Sequence, residues 1–347
     1  MTALAAARSL FDPAPGHLNT ASIGVPPRSA VQAMTTALEN WAQGHADPVA
    51  YDPLVTRSRV AFARLVGAPP ESVAIGATAS GLIGLVAASL PSNAEVLTAE
   101  GDFTSLLFPF LAQEPRGVTV RSVPLARVAA EVRPTTSLIA VSAVQSANGA
   151  LVDFAGLRAA ADASGARVLL DATQAVGWLP LRAPDWEYVV AAAFKWLCCL
   201  RGAAFMAVQP QAMAEIVPHG ASWYAGADIW SSVYGAPLRL AEDARRLDSP
   251  PAWLSYVGAA PALELLAEVG VEAIHQHDVA LANSFRVGLG LPSADSAIVS
   301  LPLDDAATGR LAAAGVRTAG RAGRTRFSFH LYTDQSDVDS AVTAIRG

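Results

Sequence analysis

Apolar residues recur along this chain in short runs, each closed by small or polar residues: "SVAIGA", "EVLTAE", "VTVRSVP", "SLIAVSAV", "RVLLDAT", "YVVAAAF" and "AAFMAV". Segments with helical spacing, such as "FAGLRAAADAS", separate them. Continuous apolar strands alternating with helices predict an α/β fold, with a mostly parallel seven-stranded sheet lying between helices. Residues 28–43 read as an amphipathic helix with Val31, Met34, Leu38 and Trp41 on one stripe. Residues 253–269 read as a long apolar helix. After it come "SAIVSLPL", a helix around "DDAATGRLAAAG", the strand "TRFSFHLY" and a closing helix over about 336–345. This tail predicts a smaller α+β C-terminal domain, joined by the N-terminal segment. The expected division is 31–245 for the large domain and 1–30 plus 246–347 for the small one.

Composition narrows the class. Of 347 residues, 52% are hydrophobic and 16% charged. No run reaches the roughly 18 apolar residues that a bilayer span needs, so the surplus points to a large core or a subunit interface. The first residues, "MTALAAARSLFDPAPGHLN", lack a basic-led apolar block with a cleavage site, which predicts a cytoplasmic protein. The net charge is −6 with no basic and aromatic cluster, so nucleic acid is not the expected partner. Cys198 and Cys199, the only cysteines, fit neither a zinc spacing nor a disulfide framework and read as small buried apolar side chains. The six histidines form no metal pattern, and His275 and His277 read as solvated helix positions.

In open α/β sheets, ligands sit at the carboxyl ends of the strands. Three motifs fall there. "AIGATASGLIGL" is a strand, a small-residue turn and a helix start, where free N–H groups beside Thr78 and Ser80 could take a phosphate. It lacks the P-loop lysine and the spaced glycines of a dinucleotide fingerprint, and a plainly capped helix would read the same way. In "RVLLDATQAVG", Asp171 closes an apolar strand and is either a cap or the partner of a buried positive group. Lys195 lies 24 residues further on, at the end of "EYVVAAAF" and between Phe194 and Trp196. That separation suits one strand-helix-strand unit, which would turn both side chains into one pocket.

Lys195 is the only lysine of the chain; the other 23 basic residues are arginines. A lysine in an apolar niche loses its proton more readily and becomes a nucleophile towards an aldehyde. A guanidinium stays protonated and cannot take that role. A helix start for a phosphate, an aspartate for a ring nitrogen and a lysine for a Schiff base together meet the needs of pyridoxal 5'-phosphate.

The ordered series "HLNTASIGVPP", "GATASG", "GDFTSLLFP", "DATQAVG", "FKWL..RG" and "RFSFHLYT" resembles the class V aminotransferase family of fold-type I pyridoxal phosphate enzymes over nearly the whole chain. That family includes cysteine desulfurases, isopenicillin N epimerase-like proteins and C-S lyases. The resemblance implies that Ala77 and Thr78 contact the cofactor phosphate, Phe103 stacks on the ring, Asp171 pairs with the pyridine nitrogen and Gln174 reaches the ring hydroxyl. Lys195 carries the Schiff base, and Ser146 is a polar neighbour of the cofactor. Arg326 grips the substrate carboxylate, with Ser22 beside the substrate; an ordinary surface ion pair is the competing reading of Arg326. The family pattern also implies a homodimer with its site near the subunit interface and a hydroxyl given to the phosphate across it, a role for Ser249.

Departures from the pattern matter. Many relatives have a serine three positions before the lysine and a histidine directly before it; here Ala192 and Phe194 stand there. Phosphate binding must then draw on other groups. No cysteine lies in "AAGVRTAGRAG", the segment before Arg326 where a desulfurase carries its sulfur acceptor, so that reaction is disfavoured. What remains is α-proton chemistry on an amino acid with Lys195 as base. The expectation is an aminotransferase-type enzyme, with C-S lyase (β-elimination) or epimerase activity as the alternative and a non-catalytic cofactor-binding scaffold as a third reading. Trp223, Tyr224, Trp230 and Tyr234 read as core or interface aromatics, or as the lining of a substrate entrance. His330 reads as a satisfied structural histidine or a neighbour of Arg326.

Overall fold

The computed structural model describes residues 3–347. The N-terminal half runs α1 (Ala3–Arg8), α2 (Arg28–Ala42), α3 (Pro48–Leu65), β1 (Val73–Gly76), α4 (Ala79–Ser89), β2 (Glu95–Ala99), α5 (Thr104–Leu111), β3 (Thr119–Val123), β4 (Thr136–Ser142), α6 (Phe154–Ser164) and β5 (Arg167–Asp171). It continues through β6 (Tyr188–Ala192), β7 (Ala204–Val208), α7 (Pro210–Ala214), α8 (Trp253–Val269) and α9 (Val271–Gly288). The chain closes with β8 (Ile298–Leu301), α10 (Asp305–Ala313), β9 (Ala319–Arg321), β10 (Arg324–Ser328) and α11 (Gln335–Arg346).

The seven apolar runs become β1 to β7, in one sheet of order β1-β7-β6-β5-β4-β2-β3. β3, β2, β4, β5 and β6 pair in parallel; β7 is antiparallel to both β6 and β1. All strands but β7 therefore point their carboxyl ends at one edge. Successive side chains alternate between two cores: Ile75, Val141, Leu170 and Phe205 pack on one face, and Ala74, Ala140, Leu169 and Met206 on the other. Burial on both faces is why the inner strands read as apolar runs; the edge strand β3 is partly exposed and carries Thr119, Arg121 and Ser122. Each fully buried Leu, Ile or Phe side chain contributes about 1.5–3 kcal/mol, enough to set the register of the whole layer.

Two details of this unit differ from the expectation. Between β5 and β6 there is no α-helix, only turns and a short 3₁₀ segment over Ala183–Asp185. Gly177 (φ +109°) packs against the Trp196 carbonyl so closely that a Cβ would lie 2.8 Å from it, and Pro180 and Pro184 interrupt any helix. The stripe of α2 is not buried in this chain: Val31, Leu38 and Trp41 are 46%, 50% and 63% exposed. The helix turns Ala30 and Ala37 inward instead, and Gly258 of α8 leaves room for Met34, whose Sδ would sit 2.6 Å from an added Cβ.

α8 packs its buried residues Tyr256, Leu263 and Leu266 into the same core as Phe62 and Phe205. The smaller sheet, β8-β10-β9, is antiparallel and has its own core of Leu18, Phe285, Val299, Leu311, Phe327 and Val338. The N-terminal segment joins it, with the Ser328 amide donating to the Leu18 carbonyl at 2.9 Å. β9 has only three residues and no apolar alternation, so nothing in the sequence marks it. It is paired to β10 through a two-residue turn in which Ala322 (φ +48°) and Gly323 (φ +72°) are both left-handed, the hairpin geometry that suits strand twist.

Candidate active site

The carboxyl edge of the large sheet meets the small sheet at a cavity of about 300 Å³. Its lining includes Ala77 and Thr78 after β1, Phe103 after β2, Ser142 at the end of β4, Asp171 at the end of β5 and Lys195 after β6. Ser22, Arg321 and Arg326 close it from the N-terminal segment and the small sheet.

Lys195 sits in the connection between β6 and β7, held by a turn in which the Cys198 amide donates to its carbonyl at 3.0 Å. The Gly24 amide donates to the Phe194 carbonyl at 3.0 Å, and a Cβ on Gly24 would overlap the Lys195 carbonyl oxygen. Only glycine lets the N-terminal segment approach this closely. The Lys195 side chain is 8% exposed, and among the described residues its Nζ makes no hydrogen bond or ion pair. Nζ lies 5.2 Å from the Phe103 ring centroid and 5.7 Å from that of Phe194. Burial lowers its pKa to about 8, against the pull of Asp171, with Arg326, Arg321 and Arg201 pushing the same way as burial.

Asp171 is buried and accepts the Thr173 amide at 2.9 Å. Burial raises its pKa, while Thr173 and the Lys195 charge oppose the shift. Thr78 caps α4, its Oγ1 accepting from the Gly81 amide at 3.1 Å, so the capped-helix reading holds, and Thr78, Ala79 and Ser80 of this helix start line the cavity. Phe103 is anchored by the buried Asp102, which accepts from the Phe103 amide at 2.7 Å and the Ser142 amide at 2.9 Å. Asp102 carried no sequence signal, because its role depends on β4 lying beside β2.

Arg326 is 1% exposed. It donates to the Ser146 carbonyl at 2.5 Å, to the Ser146 hydroxyl at 3.1 Å and to the Ser22 hydroxyl at 2.8 Å, while its Nε is buried without a partner. Burial, then the charge of Arg321, lower its pKa to about 10. Among the described residues no carboxylate pairs with it, so it is not an ordinary ion pair. Gln174 donates to the Ala21 carbonyl at 3.0 Å and to Ser146 at 3.1 Å, and its Oε1 accepts from Trp196 Nε1 at 2.7 Å. Its amide is thus taken up by protein groups that orient Ser146 and the Lys195 segment. Ser249 does not line this cavity; its amide meets the Ile75 carbonyl at 3.4 Å. Arg201 and Arg321, both in the lining, were not singled out by the sequence reading, because arginine is abundant throughout the chain.

Other residues fall outside the cavity. Cys198 and Cys199 are buried and unpaired, and burial raises both thiols. Tyr224 and Trp230 each donate to Asp52 at 3.1 Å, away from the site. His275 and His277 are not solvated as expected. His275 stacks on Trp178 at 5.8 Å and pairs with Asp295 at 3.2 Å, and His277 lies 2.9 Å from Asp278, because the polar side of α9 packs on the chain.

A sheet of this order with a lysine after β6 and an aspartate at the end of β5 is the fold-type I arrangement of pyridoxal phosphate enzymes. The family model described as Aminotransferase class-V matches residues 31–294, and the chain belongs to that family. It is similar to the uncharacterized aminotransferase YcbU of Bacillus subtilis (strain 168), 27% identical over 230 residues, 63% of this chain and 60% of that protein. It is also similar to isopenicillin N epimerase of Streptomyces clavuligerus, 28% identical over 244 residues, 62% of this chain and 59% of that protein. The matches thus span about three fifths of these curated relatives. Among solved structures, the cystine C-S lyase C-DES in complex with cysteine persulfide aligns with a TM-score of 0.85 at 20% identity, covering 95% of this chain and 97% of that one. Cysteine desulfurase CsdA from Escherichia coli aligns at 0.83 and 18% identity, covering 100% and 98%.

The residues present fit pyridoxal phosphate. A buried amine without a hydrogen-bond partner among the described residues, a buried carboxyl group whose pKa is raised by desolvation and the start of α4 converge on one cavity. Lys195 would hold the cofactor aldehyde, Asp171 its ring nitrogen, Phe103 its ring face, and Ala77 with Thr78 its phosphate.

Proposed function

We propose that the protein acts on an α-amino acid, with Lys195 removing the substrate's α-proton, in a reaction of the aminotransferase type. One observation carries this reading: the chain's only lysine is buried at the carboxyl edge of the sheet, unpaired, with its amine held at about 8. An amine of that pKa is neutral often enough near neutral pH to accept a proton and basic enough to keep it. Bound pyridoxal phosphate supplies an electron-withdrawing ring that stabilises negative charge at the substrate α-carbon. Arg326 orients the substrate through its α-carboxylate, and its buried, unpartnered Nε and paired Nη donors suit a bidentate grip. The Phe103 and Phe194 rings give Nζ two apolar neighbours, at 5.2 and 5.7 Å from their centroids.

Two buried thiols next to the lysine segment do not suit a mobile sulfur acceptor, so the usual desulfurase reaction is not part of this reading. A homodimer and a cytoplasmic location complete the proposal; the exposed Val31, Leu38 and Trp41 of α2 support the dimer. The division into 31–245 and 1–30 plus 246–347 is retained with it.

The test is an amino-acid panel on the purified protein supplied with pyridoxal phosphate, scored for keto acid, ammonia and solvent deuterium at the α-carbon. Keto acid with conversion of the cofactor to its amine form supports transamination. Pyruvate with ammonia points to β-elimination, and deuterium exchange with inversion at the α-carbon and neither keto acid nor ammonia points to epimerisation. Lys195→Ala is expected to abolish all three; retained turnover in that variant overturns the assignment, and a protein that neither absorbs visible light nor gains absorbance with added cofactor favours a scaffold.

A further inference from the structure

Arg321 and Arg326 both donate to one oxygen. Arg321 Nη2 lies 3.2 Å from Ser22 Oγ and Arg326 Nη2 lies 2.8 Å from it. Neither guanidinium has a carboxylate within ion-pair distance among the described residues; Arg321 otherwise donates to the Gly320 carbonyl at 2.7 Å. Two like charges meeting at a hydroxyl repel each other, and Arg321 indeed helps lower the pKa of Arg326. An anion between them relieves that repulsion.

The α-carboxylate of an amino acid carries a single negative charge and is matched by Arg326 alone. That leaves one cation on this flank of the cavity. Arg201 does not share the flank: its guanidinium stacks 5.1 Å over the Phe194 ring, beside the lysine. The position of Arg321 is built, since its strand pairs with β10, placing Ala319 opposite Arg326, and the left-handed turn at Ala322 and Gly323 ends the hairpin. The side chain is exposed at the mouth, within reach of a group that extends from the α-carbon towards solvent.

We propose that Arg321, with Ser22, forms a second anion subsite that selects amino acids carrying a distal carboxylate. This deepens the reading of the site as an amino-acid enzyme and rests on it. Ser22 is the hinge of the subsite, because its hydroxyl oxygen accepts from both guanidiniums and so sets their spacing, leaving each arginine's remaining donors for one acidic group.

The experiment uses the full chain loaded with pyridoxal phosphate. Calorimetry with glutarate and butyrate measures the subsite without turnover, and absorbance titration with L-glutamate and L-alanine measures it on amino acids. Wild type is expected to bind glutarate at least tenfold more tightly than butyrate. Arg321→Ala should reduce that preference tenfold or more, and Arg321→Lys should restore part of it, which a merely structural role does not do. A preference ratio within twofold of wild type in Arg321→Ala overturns the proposal, as does an equal loss for both acids, which would place Arg321 on the α-carboxylate. Absence of any visible band, with or without amino acid, defeats the cofactor reading instead, and the subsite is then decided by the glutarate and butyrate calorimetry.

Discussion

His330 Nε2 donates to the carbonyl oxygen of Trp196 at 2.9 Å, one residue beyond Lys195. Its Nδ1 lies 2.9 Å from Asp278 on α9, and both side chains are fully buried. The small sheet and α9 are thereby fastened to the backbone that carries the lysine. The ring also stands edge-on to Trp196 at 5.3 Å. Removing His330 leaves Asp278 with His277 as its remaining side-chain partner and takes the donor from the Trp196 carbonyl, two buried losses that together cost about 3 kcal/mol. His330→Ala is therefore expected to lower the unfolding free energy by that amount in urea titrations; a loss under about 1 kcal/mol contradicts the fastening role.

The Lys195 amine makes a pH prediction for the cofactor-free protein. Its folded pKa, about 8, lies below the unfolded value of 10.5 because burial disfavours the ammonium. Between these values the unfolded chain binds more protons, so the lysine's contribution to stability rises with pH across that window, by roughly 3 kcal/mol in full. Buried tyrosines and cysteines with raised pKa values, such as Tyr256 and Cys199, act in the opposite sense at alkaline pH. They act alike in Lys195→Met. The stability of wild type relative to Lys195→Met is thus expected to increase by about 2–3 kcal/mol from pH 7.5 to 10, and parallel pH profiles would rule the burial argument out.

Gly24 tests how closely the N-terminal segment must approach the lysine. A Cβ there meets backbone, the Lys195 carbonyl and the Cys198 Cα at 3.1 Å, which cannot swing away as a side chain would. Gly24→Ala is expected to cost about 2–3 kcal/mol and to lower the cofactor absorbance per chain. Gly84→Ala, inside α4 with nothing within 4 Å of the new methyl, should stabilise by about 0.5–1 kcal/mol. Equal melting behaviour of the two variants would refute the tight contact.

Arg201 is expected to supply the charge that Ala192 and Phe194 do not. Neither of those side chains carries a donor, whereas the Arg201 guanidinium lines the same cavity as Thr78 and is held over the Phe194 ring. A charge-assisted hydrogen bond is worth about 1.5–3 kcal/mol, or roughly tenfold or more in affinity. Arg201→Gln should weaken pyridoxal phosphate binding by that factor in absorbance titrations, and Ala192→Ser should strengthen it. Unchanged cofactor affinity in Arg201→Gln removes Arg201 from the phosphate site.

Much of this was legible in the chain itself, for a local reason. A strand buried on both faces is apolar at nearly every position, so β1, β4, β5, β6 and β7 announced themselves as apolar runs. The edge strand β3, partly exposed and carrying Arg121 and Ser122, showed only through its valines; a lone lysine among 23 arginines stood out in the same way. Asp171 and Lys195 could be paired because they end strands that are consecutive in sequence and adjacent in space. What only the tertiary structure decided were relationships between segments far apart in the chain. Arg321 reaches Ser22 across 299 positions, His330 reaches Trp196 across 134, and Asp102 holds Ser142 across 40. The inward turn of Ala30 and Ala37, where the stripe of α2 pointed outward, was equally hidden. Local pattern records how a residue meets water or core. It does not record which distant surface fills that core, and the charges that gather at a strand edge are set by that choice.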